Sequence, residues 1–208
     1  MKNELKDIIN GAIKVTNGDI IQAILIYLNK CKATSRTPQN AKLFLKTDEV
    51  EVLITFANQQ NLWIESVKEE NYIGEGAEQK VYLDDEGENV LKINSTIFYL
   101  FWEDYFINLL IHNYLFPITS YQFVGFLQND DGLFAVVKQT FVASTEATDL
   151  QLFRKFLEQN SFIHKKNNDY FSPELGIILE DLHDENVLTN QGVFFVIDSA
   201  IYLLEPQG

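Results

Sequence analysis

Apolar residues recur at helical spacing along the first part of the chain: Leu5, Ile8, Ile9, Ala12 and Ile13, then Ile20, Ile21, Ile24, Leu25 and Leu28. Steps of three and four put each set on one helix face. Asn17-Gly18 falls between the sets, so two helices are predicted rather than one. After a polar stretch from Lys32 to Asn40, the span Glu49 to Leu62 predicts a third helix, with Val50, Leu53, Ile54 and Ala57 on one side.

At Glu69 the period shortens. Val81 to Leu83 and Val90 to Ile93 flank the turn-rich Asp84-Asp85-Glu86-Gly87-Glu88-Asn89, which predicts an antiparallel hairpin. Ser95 or Thr96 can cap a helix running to about Tyr114 and ended by Pro117. The aromatic residues Phe98, Tyr99, Phe101, Trp102, Tyr105 and Phe106 then read as packing between this helix and the sheet. Tyr121 to Leu127 and Leu133 to Lys138 form a second hairpin around Asn129-Asp130-Asp131-Gly132. Thr148 to Gln159 predicts a helix, and short apolar runs follow at Gly176 to Leu179, Val187-Leu188 and Val193 to Ile197. The expected organisation is a helical segment over 1–68 and an α+β domain over 69–208.

Composition narrows the function classes. With 208 residues, 46% of them hydrophobic, the chain can bury a full core. Its richest apolar window, Ile97 to Phe116, is broken by Glu103 and Asp104, so no membrane span is expected. The opening Met-Lys-Asn-Glu-Leu-Lys-Asp has no apolar core of a secretion signal, and we expect a cytoplasmic protein. A single cysteine, Cys31, excludes an internal disulfide framework. The formal net charge of -14 opposes direct binding to nucleic-acid phosphates or anionic lipid, and points to small molecules or proteins as partners. A surface that mimics nucleic acid is a distant alternative.

Candidate chemistry lies in three places. In Tyr-Ile-Gly-Glu-Gly-Ala-Glu-Gln-Lys-Val-Tyr, residues 72–82, Gly74 and Gly76 precede Val81 between two strands, where glycines let backbone amides approach phosphates. In Val90-Leu91-Lys92-Ile93 a lysine interrupts an apolar strand and needs a carboxylate or phosphate partner. Glu103 on the following helix is the preferred carboxylate, ahead of Asp104. The third place is Leu179-Glu180-Asp181-Leu182-His183-Asp184-Glu185-Asn186-Val187-Leu188, then Phe195-Val196-Ile197-Asp198. Here a potential base, an amide oxygen and a carboxylate fall at one end of a small hairpin, a donor set suited to Mg²⁺ with nucleotide phosphates. His183 is read as a support of that loop, and His112 and His164 as no metal site.

The pattern Asp-Leu-His-Asp-Glu-Asn-Val-Leu followed by Val-Ile-Asp resembles the catalytic hairpin of aminoglycoside phosphotransferases and related kinase-like proteins. The stretches Leu-Ile-His-Asn-Tyr-Leu-Phe-Pro at 110–117 and Leu-Gly-Ile-Ile-Leu-Glu-Asp-Leu-His-Asp-Glu-Asn-Val-Leu at 175–188 resemble more closely the small kinase domain of polyvalent proteins from phages and conjugative elements. The likeness spans about Gly74 to Leu204. It implies a protein-kinase-like α+β fold with a small antiparallel N-lobe sheet, one N-lobe helix and an abbreviated C-lobe.

It also implies ATP and Mg²⁺ as cofactors and transfer of the γ-phosphoryl group to a hydroxyl of a protein or small molecule. The implied roles are a proton-accepting Asp181, a Lys92 on the α and β phosphates that Glu103 holds, and Mg²⁺ ligands Asn186 and Asp198. Gly74, Gly76, Val81 and Gln139 would complete the nucleotide site, with 138–141 as the hinge. The sequence departs from the pattern at Gln79, in place of the third glycine, at Leu179, two residues before Asp181, and at Ser199, after Asp198. Ten residues follow Asp198. These departures, with the acidic Glu75 and Glu78, favour a rival reading as a pseudokinase or interaction module.

Overall fold

The computed structural model describes residues 2–35 and 44–204. The polar stretch expected over 32–40 is helical as far as Ser35, and the rest of it lies outside the described residues. Among these residues the chain forms five α-helices and eleven strands. The helices are α1 (Lys2–Ile9), α2 (Asp19–Ser35), α3 (Lys46–Gln60), α4 (Trp102–Leu115) and α5 (Leu150–Gln159).

Strands β1 (Tyr72–Glu75), β2 (Gln79–Leu83), β3 (Asn89–Asn94), β4 (Gln122–Asn129) and β5 (Gly132–Thr140) make one antiparallel sheet in the order β1-β2-β3-β5-β4. A second sheet has the order β11-β8-β7-β6, from β6 (Ile163–His164), β7 (Tyr170–Ser172), β8 (Ile177–Glu180) and β11 (Ala200–Leu203). Between β8 and β11 in sequence, β9 (Val187–Asn190) and β10 (Val193–Val196) form a two-stranded antiparallel hairpin, with one further bridge from Thr189 to Glu146.

The expected order of three strands, a helix and two strands is present, as is the antiparallel α+β architecture. Several boundaries differ. Ala12 and Ile13, expected on the first helix, fall after it, because the chain turns at Gly11 with φ of +80°. Helix α4 starts at Trp102 instead of beside Ser95 or Thr96. Thr96 takes a left-handed φ of 55°, and its N–H is held by the Asn94 side chain at 2.6 Å. The cap is local to Phe101, whose N–H donates to the Asp104 carboxylate at 3.1 Å. Asp149 is the N-cap of α5, its carboxylate accepting from the N–H groups of Gln151 and Leu152.

One hydrophobic cluster joins α1, α2 and α3 to α4, to the inner face of the five-stranded sheet and to the second sheet. It runs from Leu5, Ile24 and Leu53 through Phe106 and Phe126 to Leu179 and Ile201. Helix α4 is its axis, since Trp102, Phe106, Phe123 and Phe126 interlock edge to face or stacked. Half-buried Cys31 lies on α2 within this helical layer.

The N-terminal end of α4 is pinned by charge. Lys32 on α2 lies 2.6 Å from Glu49 on α3 and 2.5 Å from Glu103 on α4, and the Trp102 N–H donates to Glu49 at 2.5 Å. Glu49 is fully buried. Burial alone would lower the Lys32 pKa, but the contacts with Glu103 and Glu49 outweigh it and hold the ammonium above its usual range. Removing one partner of a buried pair leaves the other charge uncompensated. Glu49→Ala is therefore expected to cost about 3 to 5 kcal/mol in urea unfolding, whereas a loss near zero would mean that α4 is held by packing alone.

Candidate active site

Lys92 sits at the middle of β3, paired across the sheet with Val81 on β2 and Val137 on β5. Alternation turns its side chain to the inner face of the sheet, and only 4% of the residue is exposed. Its ammonium donates to the Ile197 carbonyl at 2.8 Å and stands 3.8 Å from Asp198 Oδ2. Burial lowers its pKa, and the Asp198 charge opposes that shift.

Glu103 does not hold this lysine. Because α4 begins at Trp102, Glu103 falls in its first turn and pairs with Lys32 instead. Asp104 caps Phe101 and is likewise committed elsewhere. The groups that do surround Lys92 include Tyr121, just ahead of β4, whose hydroxyl lies 3.5 Å from the ammonium and whose ring centre lies 5.2 Å from it. The sequence reading treated Tyr121 only as a strand residue. Its signal is a hydroxyl-bearing ring in a strand otherwise built on Phe123 and Phe126.

The loop between β8 and β9 carries Asp181 and Asn186. Asp181 adopts φ of 66°, a left-handed conformation that Asp tolerates better than most residues. Asn186 closes the loop, its Nδ2 donating to the Asp181 carbonyl at 2.9 Å and to Asp181 Oδ2 at 3.1 Å. His183 accepts the Glu185 N–H on Nδ1, which leaves the proton on Nε2, 3.2 Å from Asp181 Oδ1. The ring therefore orients the Asp181 carboxylate, and the exposed side of that carboxylate remains open to solvent.

The small hairpin expected here is β9 with β10. It draws the two ends of its strands together, so that the Ile197 N–H donates to the Asn186 carbonyl at 2.9 Å. Asp198 lies two residues beyond β10, next to Lys92. The segment after β10 is fixed from behind. Thr119 donates to the Val196 carbonyl at 2.6 Å, His112 Nδ1 meets Ser199 Oγ at 3.2 Å, and the Ile201 N–H donates to Asn108 at 2.7 Å.

A cavity of about 340 Å³ opens between the sheet and this hairpin. Gly74, Gly76, Gln79 and Val81 form its roof, Lys92 and Asp198 its inner end, Leu188 and Asn186 its floor, and Gln139 to Val142 one side. It thus brings together all the expected nucleotide-site residues except Glu103, with Asp181 joined to it through Asn186. Gln139 lines the cavity, but its carboxamide turns inward and donates to the Thr119 carbonyl at 2.6 Å. A larger cavity of about 600 Å³ lies over Tyr82 and Ile93 on the other face of the sheet, away from Lys92 and Asp198.

Two further features bear on a ligand. A Cβ at Gly74 or Gly76 would meet nothing within 4 Å, and neither has a left-handed φ. Neither packing nor the turn in its present form requires glycine at these positions, so close approach of a ligand or movement of the loop is the remaining physical reason. Gln79, which takes the third glycine position of the kinase pattern, donates from Nε2 to Asp198 Oδ2.

A small antiparallel sheet with one inner helix, a buried lysine, and a hairpin bearing Asp, Asn and Asp define a protein-kinase-like fold. The chain belongs to the family of serine/threonine/tyrosine kinases found in polyvalent proteins, whose family model matches residues 46–205. No curated protein matches the chain. The match begins at the first residue of α3, ahead of the expected start at 69. Among the described residues no helix is long and apolar enough to cross a membrane.

The buried polar groups behind Lys92 give the site a pH signature. Burial pushes the His112 pKa from its ordinary 6.5 down to about 4, with the Asp198 charge opposing. As pH falls, the unfolded chain therefore takes up this proton first. The stability that neutral His112 contributes is complete above pH 6.5 and is lost on the way down through about 4. Wild type is expected to lose about 3 kcal/mol more than His112→Gln in urea unfolding between pH 7 and pH 4. Parallel losses in the two proteins would rule this out.

Proposed function

We propose that the chain is an ATP-dependent, Mg²⁺-requiring phosphotransferase that moves the γ-phosphoryl group to a hydroxyl of a protein or small molecule. The observation that carries this reading is the convergence of Lys92, Asn186 and Asp198 on one cavity roofed by Gly74 and Gly76. Val81 and Val90 above and Leu188 below offer the apolar slot that a purine ring fills, and the backbone of 139–142 offers its edge.

Lys92 then contacts the α and β phosphates, which add to the single carboxylate, Asp198 at 3.8 Å, that faces its buried ammonium. Asp181 takes the proton from the acceptor hydroxyl as its oxygen bonds to the γ-phosphorus and the bond to the β–γ bridging oxygen breaks, leaving ADP. His183 and Asn186 keep the Asp181 carboxylate aimed for that step. The donor set fits a divalent ion. Asp198 contributes carboxylate oxygens, and Asn186 directs its amide nitrogen at Asp181, which keeps its amide oxygen out of that contact. When bound, Mg²⁺ at Asn186 and Asp198 would neutralise charge on the phosphates.

One observation favours the alternative of a catalytically weak nucleotide-binding or interaction module. The Gln79 carboxamide holds the same Asp198 oxygen that a metal would need. Asp198 must exchange this amide for a metal on loading. If the contact is a brake on an otherwise competent site, Gln79→Gly tightens Mg·ATP by about tenfold, the worth of one hydrogen bond to a charged group.

Thermal unfolding with ATP tests both readings, because a ligand of the native state raises apparent stability. A magnesium-dependent shift that Asp198→Asn removes, together with phosphate transfer that Asp181→Ala removes while binding persists, is the expected result. Absence of any shift at millimolar nucleotide, in wild type and in Gln79→Gly alike, would sink the enzyme reading and leave the interaction module.

A further inference from the structure

A buried ammonium requires compensation, and on this protein the carboxylate at the start of α4 is tied to Lys32, on the far side of that helix. Tyr121 occupies the gap. Its hydroxyl donates to the Ile197 carbonyl at 2.8 Å, the same oxygen that accepts from Lys92. A phenol has one proton and two lone pairs, so with the proton on Ile197 a lone pair is left for the Lys92 ammonium 3.5 Å away. The face of the ring adds a cation–π contact at 5.2 Å. Asp198 Oδ1, 3.3 Å from the same hydroxyl, is a second and longer acceptor for its one proton.

Tyr121 is itself held by α4. The Asn113 carboxamide accepts the Tyr121 N–H at 2.7 Å and donates to its carbonyl at 2.8 Å, fixing that backbone unit from both sides. The His112 ring packs on the Tyr121 ring with centres 4.6 Å apart. Asp198 and Tyr121 are thus titratable groups in contact with Lys92, and His112 lies behind the Tyr121 ring. A ring needed only for packing would not need a hydroxyl here, as Phe123 and Phe126 show two and five residues further along the same stretch.

We infer that Tyr121 is the residue that positions Lys92 for the nucleotide phosphates, so that α4 acts on the lysine through Asn113 and Tyr121 instead of through a carboxylate. The inference rests on the kinase reading for its ligand, but the Tyr121–Lys92 linkage stands on its own geometry.

A double-mutant cycle tests it, with wild type, Tyr121→Phe, Lys92→Met and the double variant. Binding is measured for ATP with Mg²⁺ and for adenosine, which has no phosphate for Lys92 to contact. Tyr121→Phe is expected to weaken ATP by about tenfold, the size of a hydrogen bond to a charged group. It should leave adenosine unchanged and add nothing in the Lys92→Met background. Equal weakening of ATP and adenosine, or a full additional loss on top of Lys92→Met, would mean that Tyr121 only fills space and would overturn the inference.

The same four proteins are unfolded in urea without nucleotide, where the two substitutions are expected to be non-additive; strict additivity would also overturn it. Absence of binding of either ligand in wild type and in Gln79→Gly alike defeats the kinase reading instead, and the unfolding cycle alone then decides whether Tyr121 and Lys92 are coupled.

Discussion

The burial of one ammonium group organises this protein. Lys92 lies in the central part of the five-stranded sheet, on the face that packs into the main core, and its charge must be met there. The groups that meet it are drawn from the segment after β10 and from the end of the connection after α4: the Ile197 carbonyl, Asp198 and Tyr121. None of these is near Lys92 in sequence. The lysine therefore cannot be buried until the hairpin β9–β10 has docked against the sheet, and that docking carries Asp198 and Asn186 to the mouth of the cavity. Full burial of this lysine and assembly of the site therefore depend on the same contacts.

The same reasoning explains why an apolar helix carries buried polar residues. Asn108, His112 and Asn113 on α4 are almost wholly buried. Asn108 accepts the Ile201 N–H of the edge strand β11, and His112 and Asn113 satisfy groups of irregular chain at Ser199, Thr119 and Tyr121. Groups of this kind are costly if left unpaired, so α4 acts as a polar template for the Asp198 segment on one side while its aromatic residues build the core. Its other end is fixed by the Lys32, Glu49 and Glu103 cluster, which makes α2 and α3 part of what sets the position of α4. Through Asn113 and Tyr121 that position is transmitted to Lys92.

Much of this was legible in the sequence, and the illegible parts share a cause. The two hairpins of the large sheet announce themselves by alternation and turn residues, and the Asp181, Asn186 and Asp198 spacing marks the second lobe. Strands β6 and β7 are two and three residues long, too short to show a period, and β11 pairs with β8 across the intervening hairpin. The start of α4 was misread because Ser95 and Thr96 have capping side chains. Ser95 instead bonds the Glu78 carbonyl, and Thr96 is held by Asn94. The longer reach that favours Glu103 over Asp104 as the partner of Lys92 is spent on Lys32, because the helix places Glu103 in its first turn beside α2. Tyr121 was missed because its role depends on Asn113, eight residues earlier, and on Ile197, far later. Local pattern records what a residue prefers, and these partners are set by tertiary packing.

The β1–β2 loop shows how site and fold make opposite demands on one element. Glu75, Gly76 and Gln79 border both the 340 Å³ cavity and the 600 Å³ cavity behind it, so the loop is a thin wall with space on either side. Its glycines meet no neighbour that would exclude a side chain, and its one polar tie into the site is Gln79 on Asp198. Nearby Glu78 is half-buried, and burial, with the Asp198 charge adding to it, raises its carboxyl pKa. The loop is bonded at its base, where the Gly76 N–H donates to the Gln79 carbonyl and Ser95 and Asn94 hold Glu78, but it is not packed at its glycines. Lys92 keeps its own contacts with Ile197 and Tyr121, so the Gln79 tie is the part of the roof that must break for a ligand to reach the Asp198 carboxylate oxygen it holds.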